Sequence, residues 1–330
     1  MSFPSLPVSG FSLAKSTRIF FVADLHGSAV CWRKFINAAK VYRADVLLVG
    51  GDIAAKTLTP IVESNGGWVA TVEGKRRTAS SDEELRALEA AMRNEATLPY
   101  RTTPSEWQEL LQTPGALDRK FEECSVAELK LWLDWARERL DADASRLLIG
   151  LGNDDFTSME PVIDADPVAE LTDPSILHLD DGREVVTLAY SNPTPWKTHR
   201  ELPEEEITRR VDALAERLEH PESAIFNFHV PPYNTPLDIA PRLDAKLTKV
   251  MTAGGEPELA HVGSTAVRGA LEKHQPLLGL HGHIHESRGR TSFGRTLAVN
   301  CGSAYSEGKL LGAIVDLNGT AVTSAVLTEG

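Results

Sequence analysis

The chain has 330 residues, of which 42% are hydrophobic and 25% are charged, as is typical of a globular protein. No apolar run reaches the roughly 18–20 residues that a membrane-spanning helix needs, which argues against a transmembrane protein. The 34 basic residues are outnumbered by 47 acidic ones, giving a net charge of −13. This balance argues against a general binder of nucleic acid or of anionic membranes.

The cysteines and the first residues bear on where the protein works. Cys31, Cys124 and Cys301 lie far apart, which fits neither a disulfide framework nor a zinc ribbon and favours reduced thiols in a cytoplasmic protein. Residues 1–17 contain Pro4 and Pro7 and lack a basic stretch followed by an apolar one. We therefore expect a loosely held lead-in to the first strand rather than a secretory signal.

Short apolar runs predict the strands. Five of them are rich in Val, Ile, Leu and Phe and end in polar residues, which is typical of strands buried on both faces. Asp180-Asp181-Gly182 and Asn318-Gly319 are hairpin signals between further strands. The five runs are residues 18–23, 46–49, 147–151, 224–228 and 277–280; the further strands are residues 176–179, 184–190, 296–300, 311–316 and 322–327.

Apolar residues at helical spacing predict helices between the strands, around residues 32–39, 129–140 and 207–218. Ser125 and Glu128 form a capping box, which predicts that the second of these helices begins there. Residues 81–140 predict two or three amphipathic helices, so we expect one domain over residues 1–330 with a helical insertion at about 64–145. Packing of this insertion against one end of the core is favoured over a separate binding domain. The order of elements predicts an α/β protein with mixed sheets.

Polar residues that can bind metals follow all five buried runs. Ligands of α/β proteins bind beyond the carboxyl ends of the strands, so five such ends predict one shared site. The residues are Asp24 and His26 after the first run, Asp52 after the second, Asn153, Asp154 and Asp155 after the third, His229 after the fourth, and His281, His283 and His285 after the fifth.

The chemistry of this set favours a two-metal centre. Carboxylate, imidazole and amide groups suit Mn, Fe or Zn ions, and the absence of a cysteine among them argues against a structural zinc site. A single Asp or Asn after a strand is usually a turn or helix cap, and a single His there is usually a hydrogen-bonded core or surface residue. The prediction therefore depends on the whole ordered set.

The ordered motifs resemble those of the calcineurin-like metallophosphoesterase superfamily, which are D-x-H, G-D, G-N-H-D/E, a lone H and G-H-x-H. They extend from residue 24 to residue 285, with the predicted insertion outside them. The resemblance implies a four-layer αββα sandwich with two mixed sheets and a phosphoric ester hydrolase of the EC 3.1 type. It also implies that one metal is held by Asp24, His26, Asp52 and His285, and a second by Asp52 as a bridge, Asn153, His229 and His283.

The expected cofactors are two divalent ions, with Mn²⁺ as the first expectation and Fe, Zn or another divalent ion as alternatives. Two such ions about 3.5–4 Å apart share a bridging water and lower its pKa, so hydroxide is available as the nucleophile at neutral pH. The ions also hold the phosphate oxygens and offset charge in the transition state. On this interpretation His229, as a ligand of the second metal, is also a catalytic residue.

One position departs from the pattern. The histidine expected after Asn153 is replaced by Asp154, which would be ionised beside two dications and would be a poor acid. It would repel a phosphomonoester dianion more than a diester monoanion, which predicts a phosphodiesterase or an enzyme for esters with good leaving groups. Alternatively, Asp154 reaches a metal or positions a water. Asp155 is expected to orient a neighbouring ligand.

The expected partner is a small phosphoester substrate. His281, Tyr233 and Asn234 are candidate substrate contacts; the alternatives are a buried hydrogen-bonded histidine for the first and loop anchors for the other two. Competing functions are a phosphomonoesterase or protein phosphatase, a nuclease of the same fold, which the net charge disfavours, and a non-catalytic scaffold that binds a partner protein. A scaffold would be expected to have lost ligands, whereas every expected ligand position is filled.

Overall fold

A computed structural model describes residues 16–173 and 175–330. The predicted lead-in covers residues 1–17, and all of it except residues 16 and 17 lies outside the described residues. The strands are β1 (Thr17–Val22), β2 (Val46–Gly50), β3 (Leu58–Ser64), β4 (Gly67–Val72), β5 (Lys75–Ala79), β6 (Leu98–Thr102), β7 (Arg146–Gly150), β8 (Ala169–Leu171), β9 (Ile176–His178), β10 (Glu184–Leu188), β11 (Ile225–Phe228), β12 (Ile239–Pro241), β13 (Leu259–His261), β14 (Leu278–His281), β15 (Gly289–Phe293), β16 (Thr296–Asn300), β17 (Leu311–Asn318) and β18 (Ala321–Glu329).

The helices are α1 (Ala29–Tyr42), α2 (Asp82–Asn94), α3 (Pro104–Gln112), α4 (Ala116–Arg139), α5 (Glu160–Asp164), α6 (Glu204–Ala215) and α7 (Thr265–His274). Three of them begin with a serine side chain that accepts a backbone N–H of the first turn, at Ser28, Ser81 and Ser264. Such caps satisfy donors that the helix itself leaves unpaired.

Two six-stranded mixed sheets form the centre of the molecule. One has the order β18-β17-β1-β2-β7-β8 and the other β15-β16-β14-β11-β10-β9. In the first, β1, β2, β7 and β8 are parallel, β17 pairs antiparallel with β1, and β18 pairs antiparallel with β17. In the second, β10, β11, β14 and β16 are parallel, with antiparallel edge strands β9 and β15. Every strand predicted from the sequence is present.

Alternation along the strands divides the core into three apolar layers. In β1, Phe20 packs with Phe35 of α1 on the outer face, whereas Phe21 lies in the layer between the two sheets. In β11, Ile225 lies in that same layer, whereas Phe226 faces α6 and α7. Since successive strand residues point to opposite faces, the two sheets lie face to face between helices. The predicted α/β sandwich is confirmed.

The insertion differs in part from its prediction. Helices α2, α3 and α4 lie within residues 81–140 as expected. The chain also forms a four-stranded sheet of order β5-β4-β3-β6, which the sequence analysis did not predict and which begins at Leu58. Buried Ile61, Ala70 and Leu85 give this sheet and α2 a small core of their own. The segment is therefore mixed α/β rather than purely helical.

The predicted capping box at Ser125 is wrong. Helix α4 begins at Ala116, after Gly115 in a left-handed conformation. Ser125 lies inside the helix, where its hydroxyl donates to the Phe121 carbonyl at 2.9 Å. Glu128 accepts from Arg93 Nε at 2.7 Å and from Trp132 Nε1 at 3.2 Å. Ser125 and Glu128 have the spacing of a capping box, but the sequence alone does not show that Glu128 instead bonds Arg93 and Trp132.

Candidate metal centre

The residues singled out by the sequence lie beyond the carboxyl ends of β1, β2, β7, β11 and β14. Parallel pairing aligns the ends of β1, β2 and β7 in one sheet and those of β11 and β14 in the other. Within each sheet the backbone links the loops, since Asp24 N donates to the Gly51 carbonyl and Gly282 N to the His229 carbonyl, both at 2.9 Å. Between the sheets, the backbone N–H of His283 donates to Asp24 Oδ2 at 2.9 Å. The two sheets therefore present their polar loops to one site.

A first group consists of Asp24, His26 and His285, whose ligand atoms all lie within 4.8 Å of one another. His285 Nε2 is 3.3 Å from Asp24 Oδ1, and the Nε2 atoms of His26 and His285 are 3.1 Å apart. Asp24 and His26 are fully buried. Two imidazole nitrogens and a carboxylate oxygen that converge in this way can be satisfied together by a cation.

A second group consists of Asp52, His229 and His283, again within 4.8 Å. His229 Nε2 is 3.3 Å from Asp52 Oδ2 and 3.1 Å from Asn153 Oδ1. The ring of His283 lies edge-on to that of His229, with centroids 5.3 Å apart. The amide oxygen of Asn153 thus joins two imidazoles and a carboxylate.

Asp52 lies between the two groups. Its Oδ2 atom is 3.7 Å from His26 Nε2 of the first group and 3.3 Å from His229 Nε2 of the second. Its Oδ1 atom accepts the backbone N–H of Asp154 at 2.9 Å. The carboxylate is therefore oriented by a backbone donor so that its other oxygen faces both groups.

The tautomer of His229 is set by its surroundings. Its Nδ1 atom is 2.9 Å from the Gly50 carbonyl oxygen, which can only accept, so Nδ1 carries the proton. In the neutral ring Nε2 therefore carries a lone pair that faces Asp52 and Asn153, whereas in the protonated ring Nε2 donates to these oxygens. A backbone carbonyl on one nitrogen and a ligand site at the other is the usual arrangement of a metal-binding histidine.

Four of the candidate ligands have left-handed backbone conformations. Asp24 (φ 58°), His26 (φ 41°), Asp52 (φ 55°) and His283 (φ 64°) all lie in this region, which costs on the order of 1 kcal/mol for each residue other than glycine. Such strained residues cluster at functional sites. Sharp turns at the strand ends therefore direct these side chains into the site.

Glycines make the close approach of these turns possible. A Cβ on Gly152 would collide with the Asp52 carboxylate, and a Cβ on Gly282 would collide with the Asp24 carboxylate and with Ala23. Neither carboxylate can move away without leaving its group. Steric overlap therefore excludes any larger residue at these two positions.

Electrostatics also favour a cation. Burial opposes the charged form of His229, but the Asp52 and Asp24 carboxylates outweigh it and raise the pKa of His229 to about 10. Burial lowers the pKa of His26 to about 3 and that of His283 to about 4, so both rings are neutral at pH 7 and keep a lone pair. The protonated His229 supplies positive charge to paired carboxylates, a role that a metal ion would take over with release of the proton. The buried His and Asp groups could therefore hold metal ions.

Asp155 connects two loops. It is fully buried, and its Oδ1 atom accepts the N–H groups of Ile53 at 2.9 Å and Ala54 at 2.7 Å, while Oδ2 accepts from Gly152 at 2.8 Å. Burial and the nearby Asp52 charge raise the pKa of Asp155 to about 7. It ties the loop after β2 to the loop after β7 and so positions Asp52 and Asn153 from outside the cluster.

Asp154 lies at the edge of the cluster. Its Oδ2 atom is 3.7 Å from His26 Nδ1 and 3.5 Å from Lys56 Nζ, and its Oδ1 accepts from Asn153 Nδ2 at 3.1 Å. Burial and the Asp52 charge raise the pKa of Asp154 to about 6, against the opposing effect of Lys56. Its carboxylate oxygen also falls within 4.8 Å of ligand atoms of His26 and Asp52.

The three candidate substrate contacts do not join the cluster. His281 is fully buried and its Nδ1 bonds the Phe228 carbonyl at 2.8 Å, which matches the alternative of a buried hydrogen-bonded histidine. The carbonyls of Tyr233 and Asn234 accept from Arg268 Nη1 at 3.0 and 3.1 Å. Tyr233 remains 39% exposed on the loop after His229, so it is accessible although it contacts none of the clustered ligands.

Sequence patterns did not indicate several residues that support the site. Thr198 Oγ1 accepts from Asn153 Nδ2 at 2.9 Å, and the buried Arg200 donates from its backbone N–H to the Asn153 carbonyl at 3.2 Å and from Nε to the Asp155 carbonyl at 3.1 Å. Lys56 and Tyr305 flank His26 and Asp154. No motif includes these residues, since they come from loops of no regular pattern; only the proximity of Lys56 to Asp52 in sequence was a signal.

Comparisons with known proteins bear on the fold through solved structures. No protein-family model matches the chain. MJ1162, an uncharacterized protein of Methanocaldococcus jannaschii, is 33% identical over 117 residues, which are 35% of this chain and 46% of that protein. The match thus spans about half of that relative's length.

Two solved crystal structures resemble almost the whole chain. They superpose with TM-scores of 0.55 and 0.51, each at 14% identity and covering 96% of this chain and 99% of the other; the second is TT1561 of Thermus thermophilus. At this identity the likeness shows the fold alone. Among the described residues, none of the helices has the length and apolar character required to cross a bilayer.

Proposed function

We propose that this chain is a phosphoester hydrolase that depends on two divalent metal ions, with Mn²⁺ as the first candidate for both. The observation that carries the proposal is the position of the Asp52 carboxylate between two groups of buried ligands, 3.7 Å from His26 Nε2 and 3.3 Å from His229 Nε2. The first ion would be held by Asp24, His26, Asp52 and His285, and the second by Asp52, Asn153, His229 and His283.

Divalent ions bound there would supply an activated water as nucleophile and would offset charge on the phosphate oxygens. The chain's own contribution is to fix the ligands before substrate arrives. His229 is held by the Gly50 carbonyl, Asp52 by the Asp154 backbone N–H, and the loops that carry Asp52 and Asn153 are joined by Asp155. Such preorganisation reduces the rearrangement needed during the reaction.

Asp154 supports a preference for phosphodiesters. Although burial and Asp52 raise the pKa of Asp154 to about 6, its carboxylate is mainly ionised at pH 7. Lys56, 3.5 Å away, and any bound dication favour this form, which cannot donate a proton to a leaving group. A diester monoanion is also repelled less than a monoester dianion. The proposed substrates are therefore small phosphodiesters or esters with good leaving groups, in a cytoplasmic protein.

The manganese-loaded protein should hydrolyse bis-p-nitrophenyl phosphate faster than p-nitrophenyl phosphate, and EDTA should abolish both reactions. The variant Asp154→His restores a proton donor and should gain activity on esters with poor leaving groups. A faster reaction with the monoester would contradict the diester preference. A protein that retains no manganese and hydrolyses neither ester would contradict the proposal as a whole and would favour a non-catalytic scaffold.

A further inference from the structure

Lys56 brings a positive charge to the edge of the metal centre. It lies four residues after Asp52, and its Nζ atom is 3.5 Å from Asp154 Oδ2. In the part of the chain that the structure describes, no other lysine or arginine forms an ion pair with Asp24, Asp52 or Asp154. Its side chain is 46% exposed, so the amine is accessible to a ligand entering from solvent.

The contact between Lys56 and Asp154 leaves the amine with unused donors. An ammonium group has three N–H donors, and one contact at 3.5 Å is too long to be a strong charge-assisted hydrogen bond, which is about 2.7–2.9 Å long. A partly exposed pair of this kind contributes little to stability. The arrangement is better suited to binding a second anion than to holding the loop.

Tyr305 lies on the same side of the centre. Its ring packs on His26 with centroids 4.7 Å apart and edge-on to His285 at 5.7 Å. The side chain is half-buried, and its hydroxyl makes no hydrogen bond within residues 16–173 and 175–330. Tyr305 and Lys56 thus lie around the same ligand, Tyr305 through its ring contact with His26 and Lys56 through Asp154, whose Oδ2 atom is 3.7 Å from His26 Nδ1. A packed ring with an unused hydroxyl is a rigid donor.

We propose that Lys56 and Tyr305 bind the phosphoryl oxygens of the substrate and are specificity-determining residues of the site. The inference rests on the proposed function and deepens it. The Lys56 ammonium and the Tyr305 hydroxyl donate to oxygens of the phosphoester that the metal ions do not engage. Lys56 also offsets the charge of Asp154, so an anionic ester can approach despite a carboxylate at this position.

The test measures binding of inorganic phosphate to the manganese-loaded protein by isothermal titration calorimetry. Lys56→Met should raise the Kd for phosphate about tenfold or more, because it removes a charge-assisted hydrogen bond. Tyr305→Phe should raise it about threefold to tenfold, because only a neutral donor is lost. Lys75→Met, which changes an exposed lysine of β5, should leave the Kd unchanged.

A second variant separates direct binding from charge compensation. If Lys56 only shields Asp154, then adding Lys56→Met to Asp154→Asn should leave the Kd of Asp154→Asn unchanged. Direct binding predicts that the double variant binds phosphate severalfold more weakly than Asp154→Asn alone. Equal Kd values for the two proteins would therefore overturn the inference, and a weaker double variant would support it.

Manganese content, measured by mass spectrometry of each variant, keeps the two proposals distinguishable. The inference requires that Lys56→Met retains as much manganese as the wild-type protein. Unchanged phosphate affinity, or loss of manganese in Lys56→Met, overturns the inference and leaves the proposed function in place. A wild-type protein that binds no manganese overturns the proposed function and the inference together.

Discussion

Asp52 lies between the two candidate ligand groups and is the residue proposed to bind both ions. It is buried beside histidines of both groups, and the charge of His229 and its hydrogen bond outweigh the effect of burial and hold the pKa of Asp52 well below its usual range. An amide at this position would keep the shape of the side chain. It would lose the negative charge that both groups share.

The variant Asp52→Asn is therefore expected to lower manganese binding at both positions, from two ions per chain to fewer than one. The reason is that an amide oxygen is a much weaker ligand than a carboxylate for such ions. Mass spectrometry after exchange into metal-free buffer gives the stoichiometry. Asp143→Asn, an exposed position, is the matched control, and two ions retained in Asp52→Asn would exclude a bridging role.

Asp173 gives the protein a pH dependence outside the metal centre. Burial raises the pKa of Asp173 to about 6; Arg200, 4.0 Å away, opposes this, and Glu160 adds to it. Because the folded-state pKa lies above the unfolded value of about 3.9, the folded protein holds this proton more tightly. The free energy of unfolding therefore falls as the pH rises from about 4 through 6.

Asp173→Asn should remove this fall in the free energy of unfolding at rising pH. Relative to the wild-type protein, the variant should gain roughly 1 kcal/mol of unfolding free energy when the pH is raised from 5 to 8. Urea denaturation of both proteins at the two pH values, with EDTA present, gives the difference. If the difference in unfolding free energy between the two proteins is the same at pH 5 and pH 8, the raised pKa of Asp173 is contradicted.

At the scale of elements, the sequence indicates strands well and the insertion poorly. The runs that became β1, β2, β7, β11 and β14 are rich in apolar residues and end in polar ones, which is typical of buried strands. Strands β3 to β6 carry Lys75, Arg76, Arg77 and Glu63, and most of their residues are at least partly exposed. Their pattern is weak because the small sheet buries only a few apolar side chains, in a small core that it shares with α2.

The turns that carry the ligands depend on close backbone approach, which Gly282 illustrates. Gly282→Ala should destabilise the protein by about 1–3 kcal/mol, because the new methyl group overlaps with Ala23 and the Asp24 carboxylate. The control is Gly269→Ala in α7, where nothing lies within 4 Å and alanine should stabilise by about 0.5–1 kcal/mol. Urea midpoints of both variants test the contrast, and a neutral Gly282→Ala would show that the turn is loose.

For the whole molecule, the residues themselves predicted the strands and a shared site at their carboxyl ends, and the family resemblance implied the two sheets. It could not supply the residues that support the site from irregular loops. Arg200, Thr198, Lys56 and Tyr305 come from segments without periodicity, and their positions follow from how the two sheets pack. Hydrophobic alternation determines which faces pack, whereas the loop contacts depend on distances that no local pattern encodes.

If the two sheets are joined by bound ions, manganese should stabilise the entire fold. Saturation at about a hundred times the Kd adds about 2.7 kcal/mol to the unfolding free energy for each independent site. Urea or thermal denaturation with and without manganese measures the gain. The Asp52→Asn variant should show a much smaller gain, and an equal gain in both proteins would indicate that the ion binds elsewhere.

The left-handed turns at Asp24, His26, Asp52 and His283 place these positions under two opposing kinds of selection. Folding alone would favour glycine or asparagine there, because both relieve the backbone and reduce the concentration of buried charge. Random libraries screened only for protease resistance should accordingly drift toward these residues, whereas libraries screened for hydrolysis should keep aspartate and histidine. The differences between the two selected libraries would reveal which amino acids are retained for catalysis at the expense of folding stability.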